Sequence, residues 1–213
     1  MNITVLGATG NVGRRTVAEA LARGHRVTAA ARTPARPGDL PPEVAIRIAD
    51  MANATDMARI CAGQDVVVNA TRPADGQERQ VEANTRSLLQ GLSGSTARLL
   101  VVGGAASLVV PDSSGALLID DPRYLDPSLR HIGQASLDQY HVCLAETELD
   151  WCYLSPPAEL VAGTRTGVYR SGRDELLVDA QGRSRISMED FAVALLDEIE
   201  NPRHHRQRFT VAY

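Results

Sequence analysis

The segment Gly7-Ala8-Thr9-Gly10-Asn11-Val12-Gly13 constrains this chain more than any other. It follows Asn2-Ile3-Thr4-Val5-Leu6, a short run of apolar and β-branched residues that reads as a buried strand. It precedes Arg14 to Arg23, which reads as a helix stopped by Gly24. A glycine-rich turn between a first strand and a first helix is a phosphate cradle. Gly7 permits the tight turn, Gly10 lets the backbone approach a pyrophosphate without an intervening Cβ, and Gly13 lets the helix lie close to the strand. The helix N-terminus offers unpaired N–H groups and a partial positive charge to the phosphates. The competing reading is a structural turn without a ligand.

The spacing is GxxGxxG rather than the GxGxxG of the dehydrogenase fingerprint. GATGNVG so placed resembles the atypical short-chain dehydrogenase/reductase proteins, in the NmrA-like, NAD(P)H-binding branch with its NADH-flavin reductase-like members. VVGGAAS (residues 101–107), Trp151-x-x-Leu154-x-Pro156-Pro157 and SRISMEDFA (residues 184–192) are similar to the same branch. The resemblance implies one Rossmann-like α/β domain over residues 1–213. Its doubly wound, mostly parallel sheet would have seven strands in the order 3-2-1-4-5-6-7, with NAD(P)(H) at the carboxyl edge. In the flavin and biliverdin reductase branch a histidine follows the proline pair. Here Ala158 stands in its place, which argues against a biliverdin-type substrate.

The length of 213 residues suits one such domain, with a core of Ala, Val, Leu and Ile, since aromatics are only 4%. A net charge of −4 argues against a general nucleic-acid binder. No apolar run reaches the roughly 18 residues of a membrane span, and no signal peptide precedes the first strand, so a cytoplasmic protein is expected. Cys61, Cys143 and Cys152 have no metal spacing, and no metal is expected. There is no lysine at all. That excludes a P-loop lysine, a Schiff-base lysine and the Tyr-x-x-x-Lys pair of ordinary short-chain dehydrogenases.

Along the chain, the second strand is Arg26 to Ala31, with Arg32 at its end and a Pro- and Gly-rich loop beyond. An acidic residue there would accept from the ribose 2′-hydroxyl of NAD. Arg32 suits a 2′-phosphate, so NADP(H) is expected over NAD(H), and Asp39 comes too late to serve the ribose. The third strand, Val44 to Ala49, ends in Asp50-Met51. The resemblance places Asp50 beside the adenine, and the alternative is a helix cap. The fourth strand, Asp65 to Ala70, delivers Ala70, Thr71 and Arg72 to the carboxyl edge, where ligands of open α/β sheets bind. A helix from Gln77 to Leu92 and a fifth strand, Arg98 to Val102, lead to Gly103 and Ser107. In related proteins this loop lies against the nicotinamide. Ser107 is placed to donate to a substrate carbonyl or flavin oxygen, or merely to cap the loop.

Residues 109–127 read as a lid loop, and Ser128 to Glu148 as one helix. Leu144 stands where the lysine of the usual pair would be, which leaves Tyr140 and His141 as proton-transfer candidates or packing residues. The sixth strand, Asp150 to Ser155, is followed by a substrate-side segment, about residues 156–180. It contains a β-hairpin of Gly167–Arg170 against Glu175–Val178 and three arginines, Arg165, Arg170 and Arg173, facing solvent or an anion. Ser187 and Asp190 form a capping box on a last helix, and Arg203 to Arg206 form a basic turn, either solvated or holding a metal or phosphate. Phe209 to Ala212 is the final strand.

Two functions are compatible with these residues. One is an NADPH-dependent reductase passing hydride to a small-molecule acceptor such as a flavin (FMN) or quinone, with Ser107 and Tyr140 as candidate catalytic groups. The other is an NmrA-like NADP(H) sensor without turnover. The amphipathic last helix is either core or a dimer face, so a homodimer is compatible with either function.

Overall fold

In the computed structural model, which describes residues 1–33, 40–73 and 76–213, the first half is a series of strands separated by helices, except that the second strand leads to the third with no helix among the described residues. β1 (Asn2–Leu6) passes through the glycine turn into α1 (Asn11–Ala22). β2 (Arg26–Ala31), β3 (Ala45–Ile48), α2 (Ala54–Cys61), β4 (Val66–Asn69), α3 (Gln80–Leu92) and β5 (Arg98–Val102) follow. The second half contains α4 (Arg130–Leu144), β6 (Trp151–Ser155), β7 (Glu159–Val161), β8 (Arg170–Gly172), β9 (Arg185–Ser187), α5 (Met188–Glu200) and β10 (Gln207–Ala212).

The main sheet runs β3-β2-β1-β4-β5-β6-β10-β8. All its pairs are parallel except β10 with β8. Strand alternation divides the core in two. Ile3, Val5, Val66, Val68, Leu100, Cys152 and Leu154 face α1 and α5. Leu6, Val67, Leu99, Val101, Trp151 and Tyr153 face the other way, onto α2, α3 and α4. A sheet covered on both faces needs continuous apolar strands, which is what Val66-Val67-Val68 supplies. Chain order reverses between β1 and β4, so their carboxyl ends form the switch-point crevice of a doubly wound fold.

The expected order holds for seven strands, but the sheet has eight. The expected hairpin does not form: Arg170–Gly172 pairs antiparallel with β10, while Glu175 bridges to Val109. β7 and β9 make a separate two-stranded parallel sheet. The reason is that Leu176 is needed elsewhere. With Leu108, Val110 and Leu118 it forms a third apolar cluster, which folds the 109–127 segment down as a packed flap instead of an open loop. The helix expected from Ser128 to Glu148 spans only α4, after a short 3₁₀ turn at Pro127–Leu129.

Candidate dinucleotide and acceptor site

At the switch point, Gly7 adopts φ +77°, in the left-handed region that favours glycine. A Cβ there would lie 2.6 Å from the Ala70 carbonyl oxygen, so this glycine brings β1 and β4 together at their carboxyl ends. A Cβ on Gly13 would lie 2.0 Å from the Gly7 oxygen, which explains how α1 starts directly against the turn. Gly10 differs from both. Its φ is −71°, it is exposed, and its Cβ would meet only the Gly7 oxygen, at 3.2 Å. Nothing in the fold demands glycine there, whereas a ligand approaching the backbone does. Gly10 is the N-cap of α1 and supplies no side-chain cap, and the first turn carries no acid. Thr9 and Asn11 are exposed beside it and Val12 is partly buried, so the first N–H groups of α1 open toward the crevice.

Across the crevice, the Asn69 side chain at the end of β4 takes both donors of Thr71: its Oδ1 accepts the hydroxyl at 2.7 Å and the backbone N–H at 3.2 Å. Met51 Sδ lies 3.4 Å from the same hydroxyl. Asn69 Nδ2 is buried and has no partner among the described residues. A buried amide left without an acceptor costs about 1–3 kcal/mol, so this is a donor awaiting an oxygen. The uncapped helix start, the exposed Gly10 and the open Asn69 donor together fit a pyrophosphate and its riboses. Arg32 is exposed at the carboxyl end of β2, and Arg72 is exposed beyond Thr71. Asp39 lies in 34–39, outside the described residues. Asp50 is exposed, but it does not cap α2. Asn53 does so, accepting from the N–H groups of Thr55 and Asp56, while Asp50 accepts from Ala52 and donates its own N–H to Asp56.

Beyond β5, Gly103 and Gly104 have packing reasons. A Cβ on Gly103 would fall inside the Tyr153 ring, at 1.9 Å, and one on Gly104 would strike the Ser136 side chain at 2.4 Å. Tyr153, fully buried, accepts the Gly104 N–H at 3.1 Å and donates to the Ser136 carbonyl at 2.9 Å. This ties the loop to α4, and burial pushes the Tyr153 hydroxyl pKa up.

Ser107 is 9% exposed. Its hydroxyl oxygen accepts from Arg208 Nη1 at 2.6 Å, and its carbonyl accepts from the same nitrogen at 3.0 Å. Arg208 also pairs with Asp174 at 2.6 Å, and its guanidinium carbon sits 4.7 Å from the centroid of the Tyr140 ring. Ser107 and Tyr140 are thus brought to one cation. Burial raises the Tyr140 hydroxyl pKa, and the Arg208 charge only partly opposes it.

The NAD(P)H-binding family model matches residues 7–202. The chain belongs to this family. It is 40% identical to the YwnB protein of Bacillus subtilis (strain 168), over 99% of this chain and 98% of that one. Among solved structures it is similar to a candidate epimerase from Bacteroides thetaiotaomicron: 34% identity, TM-score 0.91, covering 100% of this chain and 96% of the other. It is also similar to SP1627 of Streptococcus pneumoniae TIGR4, a candidate NADH-flavin reductase: 27% identity, TM-score 0.85, covering 100% and 99%. For an NAD(P)H-binding protein, the crevice between β1 and β4 is where the fold puts the dinucleotide.

Other expectations resolve into structure. Arg165 holds Glu19 with two contacts of 2.8 Å, Arg170 binds the carbonyls of Val178 and Tyr213, and Arg173 binds Gln207, so none of the three is held out for an anion. Ser187 caps α5, but Asp190 does not complete the capping box. Its carboxylate instead clamps Thr166, Gly167 and Tyr213. The basic turn is not merely solvated: Glu198 accepts from Arg98, from the N–H groups of Arg203 and His204, and pairs with His204 Nδ1 at 2.8 Å. Among the described residues Cys152, Glu198 and His204 could in principle share an ion. However, the Glu198 oxygens are already filled, and the Arg98 guanidinium stands where a second cation would be repelled. Burial pushes the Cys61 and Cys143 thiols up to about 12, far from thiolates at neutral pH. No helix among the described residues is long and apolar enough to cross a membrane.

Asn69 and Arg208 escape a reading of the sequence. Asn69 ends an otherwise apolar strand beside the glycine turn, and that polar interruption was its available signal. Arg208 belongs to β10, and a final strand begun at Phe209 leaves it out. Its partner lies 101 residues away.

Proposed function

We propose that this chain is an NADPH-dependent reductase that passes hydride to a flavin, quinone or similar conjugated acceptor, as a single domain in the reducing cytosol. The observation that carries the reading is the Gly10 cradle at the switch point, with the Ser107–Arg208 pair at the acceptor end of the neighbouring strand. NADPH, when bound, supplies hydride, and a proton from solvent completes reduction of the acceptor. Gly7, Gly10 and Gly13 would admit the pyrophosphate to the α1 N-terminus, with Thr9, Asn11 and Val12 lining the turn. Asn69 would offer Nδ2 to a ligand oxygen, and Ala70, Thr71 and Arg72 would form the opposite wall. Arg32 would meet the 2′-phosphate, with Asp50 and Met51 on the adenine side. Gly103 would keep the loop low enough for two planar rings to stack. Hydride transfer between stacked rings works largely by positioning, so the absent Tyr–Lys pair does not exclude it.

The test is a fluorescence titration with NADPH and NADH, followed by addition of FMN or a quinone. Saturable enhancement with NADPH and acceptor-dependent decay support the reductase. Enhancement without decay favours the nucleotide sensor, which the raised Tyr140 pKa and the apolar Leu144 also suit. No enhancement with either nucleotide overturns both.

A further inference from the structure

Arginine has donors and no acceptor, so a serine oxygen bonded to it acts as an acceptor and its own hydrogen must point elsewhere. That is the state of Ser107: Arg208 Nη1 approaches Oγ at 2.6 Å, and the Ser107 O–H donates to no group among the described residues. Arg208 is fixed on three sides, by Ser107, by Asp174 and by the Tyr140 ring, and it is only 7% exposed. A hydroxyl that accepts from a cation becomes a stronger donor, because the bonds polarise one another. The same corner has further open capacity. Thr210 lies two residues beyond Arg208 on the same face of β10 and is in register with Ser155 of β6. Both hydroxyls are buried without partners among the described residues.

We infer that Arg208 is the positioning residue of acceptor reduction: by occupying the Ser107 oxygen, it turns the Ser107 hydroxyl into a dedicated hydrogen-bond donor for a carbonyl oxygen of a conjugated acceptor. The inference rests on the reductase reading and adds the acceptor's chemistry, a planar ring bearing a carbonyl where negative charge grows as hydride arrives. Donation to that oxygen is strongest when the charge has developed, so its loss lowers kcat more than it raises KM. Asp174 supports the arrangement from solvent, since its carboxylate is largely exposed yet anchors the far side of the guanidinium.

The experiment is a double-mutant cycle of Ser107→Ala and Arg208→Met. It is read as kcat and KM for NADPH-driven reduction of FMN and of menadione, with NADPH affinity by fluorescence and thermal midpoint measured alongside. Each single variant is expected to lose about 10- to 100-fold in kcat, with NADPH affinity within about twofold of wild type. The double variant is expected to be no slower than the slower single, because Arg208 acts through Ser107. Arg208→Lys, which keeps the charge but not the fork, is expected to recover part of the rate. Losses that multiply in the double variant overturn the inference, as does an Arg208→Met effect confined to the thermal midpoint. Should Arg208→Met not fold, Asp174→Asn loosens the guanidinium from the exposed side. It should lower kcat in the wild-type background and leave it unchanged in Ser107→Ala, and equal effects in both backgrounds refute the inference. Wild type that binds NADPH but reduces neither acceptor leaves the hydroxyl without a task and also overturns it. Wild type that fails to bind NADPH sinks the functional reading itself, and the titration reports that separately.

Discussion

Gly10 and Gly13 belong to one motif, and the geometry assigns them different duties that a pair of alanine substitutions separates. In Gly13→Ala the new Cβ would sit 2.0 Å from the Gly7 carbonyl oxygen, about 1 Å inside the closest approach real Cβ atoms show, and 2.8 Å from its carbon, both backbone atoms. No rotamer change relieves this, so α1 must move off β1, loosening its packing through Val17 and Ala20. Overpacking of this kind costs about 3 kcal/mol. For a chain of 213 residues that corresponds to a fall of about 6–12 °C in the thermal midpoint. In Gly10→Ala the Cβ meets one atom at 3.2 Å, and φ is ordinary for alanine. Stability should stay within about 0.5 kcal/mol, the entropy gain of alanine offsetting its poorer capping. The methyl would instead occupy the approach of the pyrophosphate to the α1 N–H groups. Losing charge-assisted bonds worth about 1.5–3 kcal/mol weakens NADPH by about 10- to 150-fold. Circular-dichroism melts and NADPH fluorescence titrations of both variants decide the matter. Wild-type affinity in a folded Gly10→Ala would show that the dinucleotide does not rest on this turn. A Gly13→Ala variant as stable as wild type would refute the packing argument.

Three further outcomes are expected. Arg32→Ala should weaken NADPH by at least about tenfold and leave NADH nearly unchanged in parallel titrations, and equal losses would remove the 2′-phosphate assignment. Tyr153→Phe keeps the ring against Gly103 but strands the Gly104 N–H and the Ser136 carbonyl. It should cost about 1–3 kcal/mol, or about 2–12 °C in the thermal midpoint, and an unshifted melt would show that the hydroxyl is not used. Asp190 is a buried carboxylate: burial raises its pKa, but bonds from Thr166, Tyr213 and Gly167 outweigh this and hold it below the usual range. Its contribution is therefore complete above the unfolded value of about 3.9 and disappears as pH falls through the lower native value. Wild type should exceed Asp190→Asn in stability at pH 7, and the gap should shrink as pH falls below about 4 toward the lower native pKa. A gap that stays constant from pH 7 to pH 3 would contradict this.

The first half of the chain is the legible half. β1, β4 and β5 are short, largely apolar runs joined through helices, and only the edge strand β3, reached from β2 with no helix among the described residues, departs from that pattern, so local pattern goes far toward fixing element and order. Beyond Ser155 the chain leaves that regime. Leu176 joins Leu108 and Leu118, and Arg170 reaches Tyr213, so the local alternation that suggested a hairpin was overruled by burial in the third cluster. The turn and switch-point residues were readable because they lie within one βα unit and the strand beside it. Arg208, Asp174 and Ser107 were not, because an ion pair between separate loops and a terminal strand leaves no periodic trace.

The absence of lysine from this chain acquires a structural meaning at that same place. In Tyr-x-x-x-Lys proteins one helix carries both the acid and the cation beside it. Here α4 carries Tyr140 with Leu144 one turn on, and Leu144 is 49% exposed, a position that asks for no cation. The positive charge near Tyr140 comes instead from β10, through Arg208, and it stacks on the ring face. A cation over the ring bonds to the π-system rather than to the hydroxyl, so its charge only partly offsets the burial that raises the Tyr140 pKa. The nitrogen that would have served tyrosine is spent on Ser107, a group that stays neutral and donates without titrating. A site so built has no ionisable donor near neutrality. Acceptor reduction by wild type should therefore show a flat kcat profile between about pH 6 and pH 8.5, since a serine hydroxyl donates without changing its charge. A bell-shaped profile with a limb in that window would place the proton donor on a titrating residue and return Tyr140 or His141 to the centre of the chemistry.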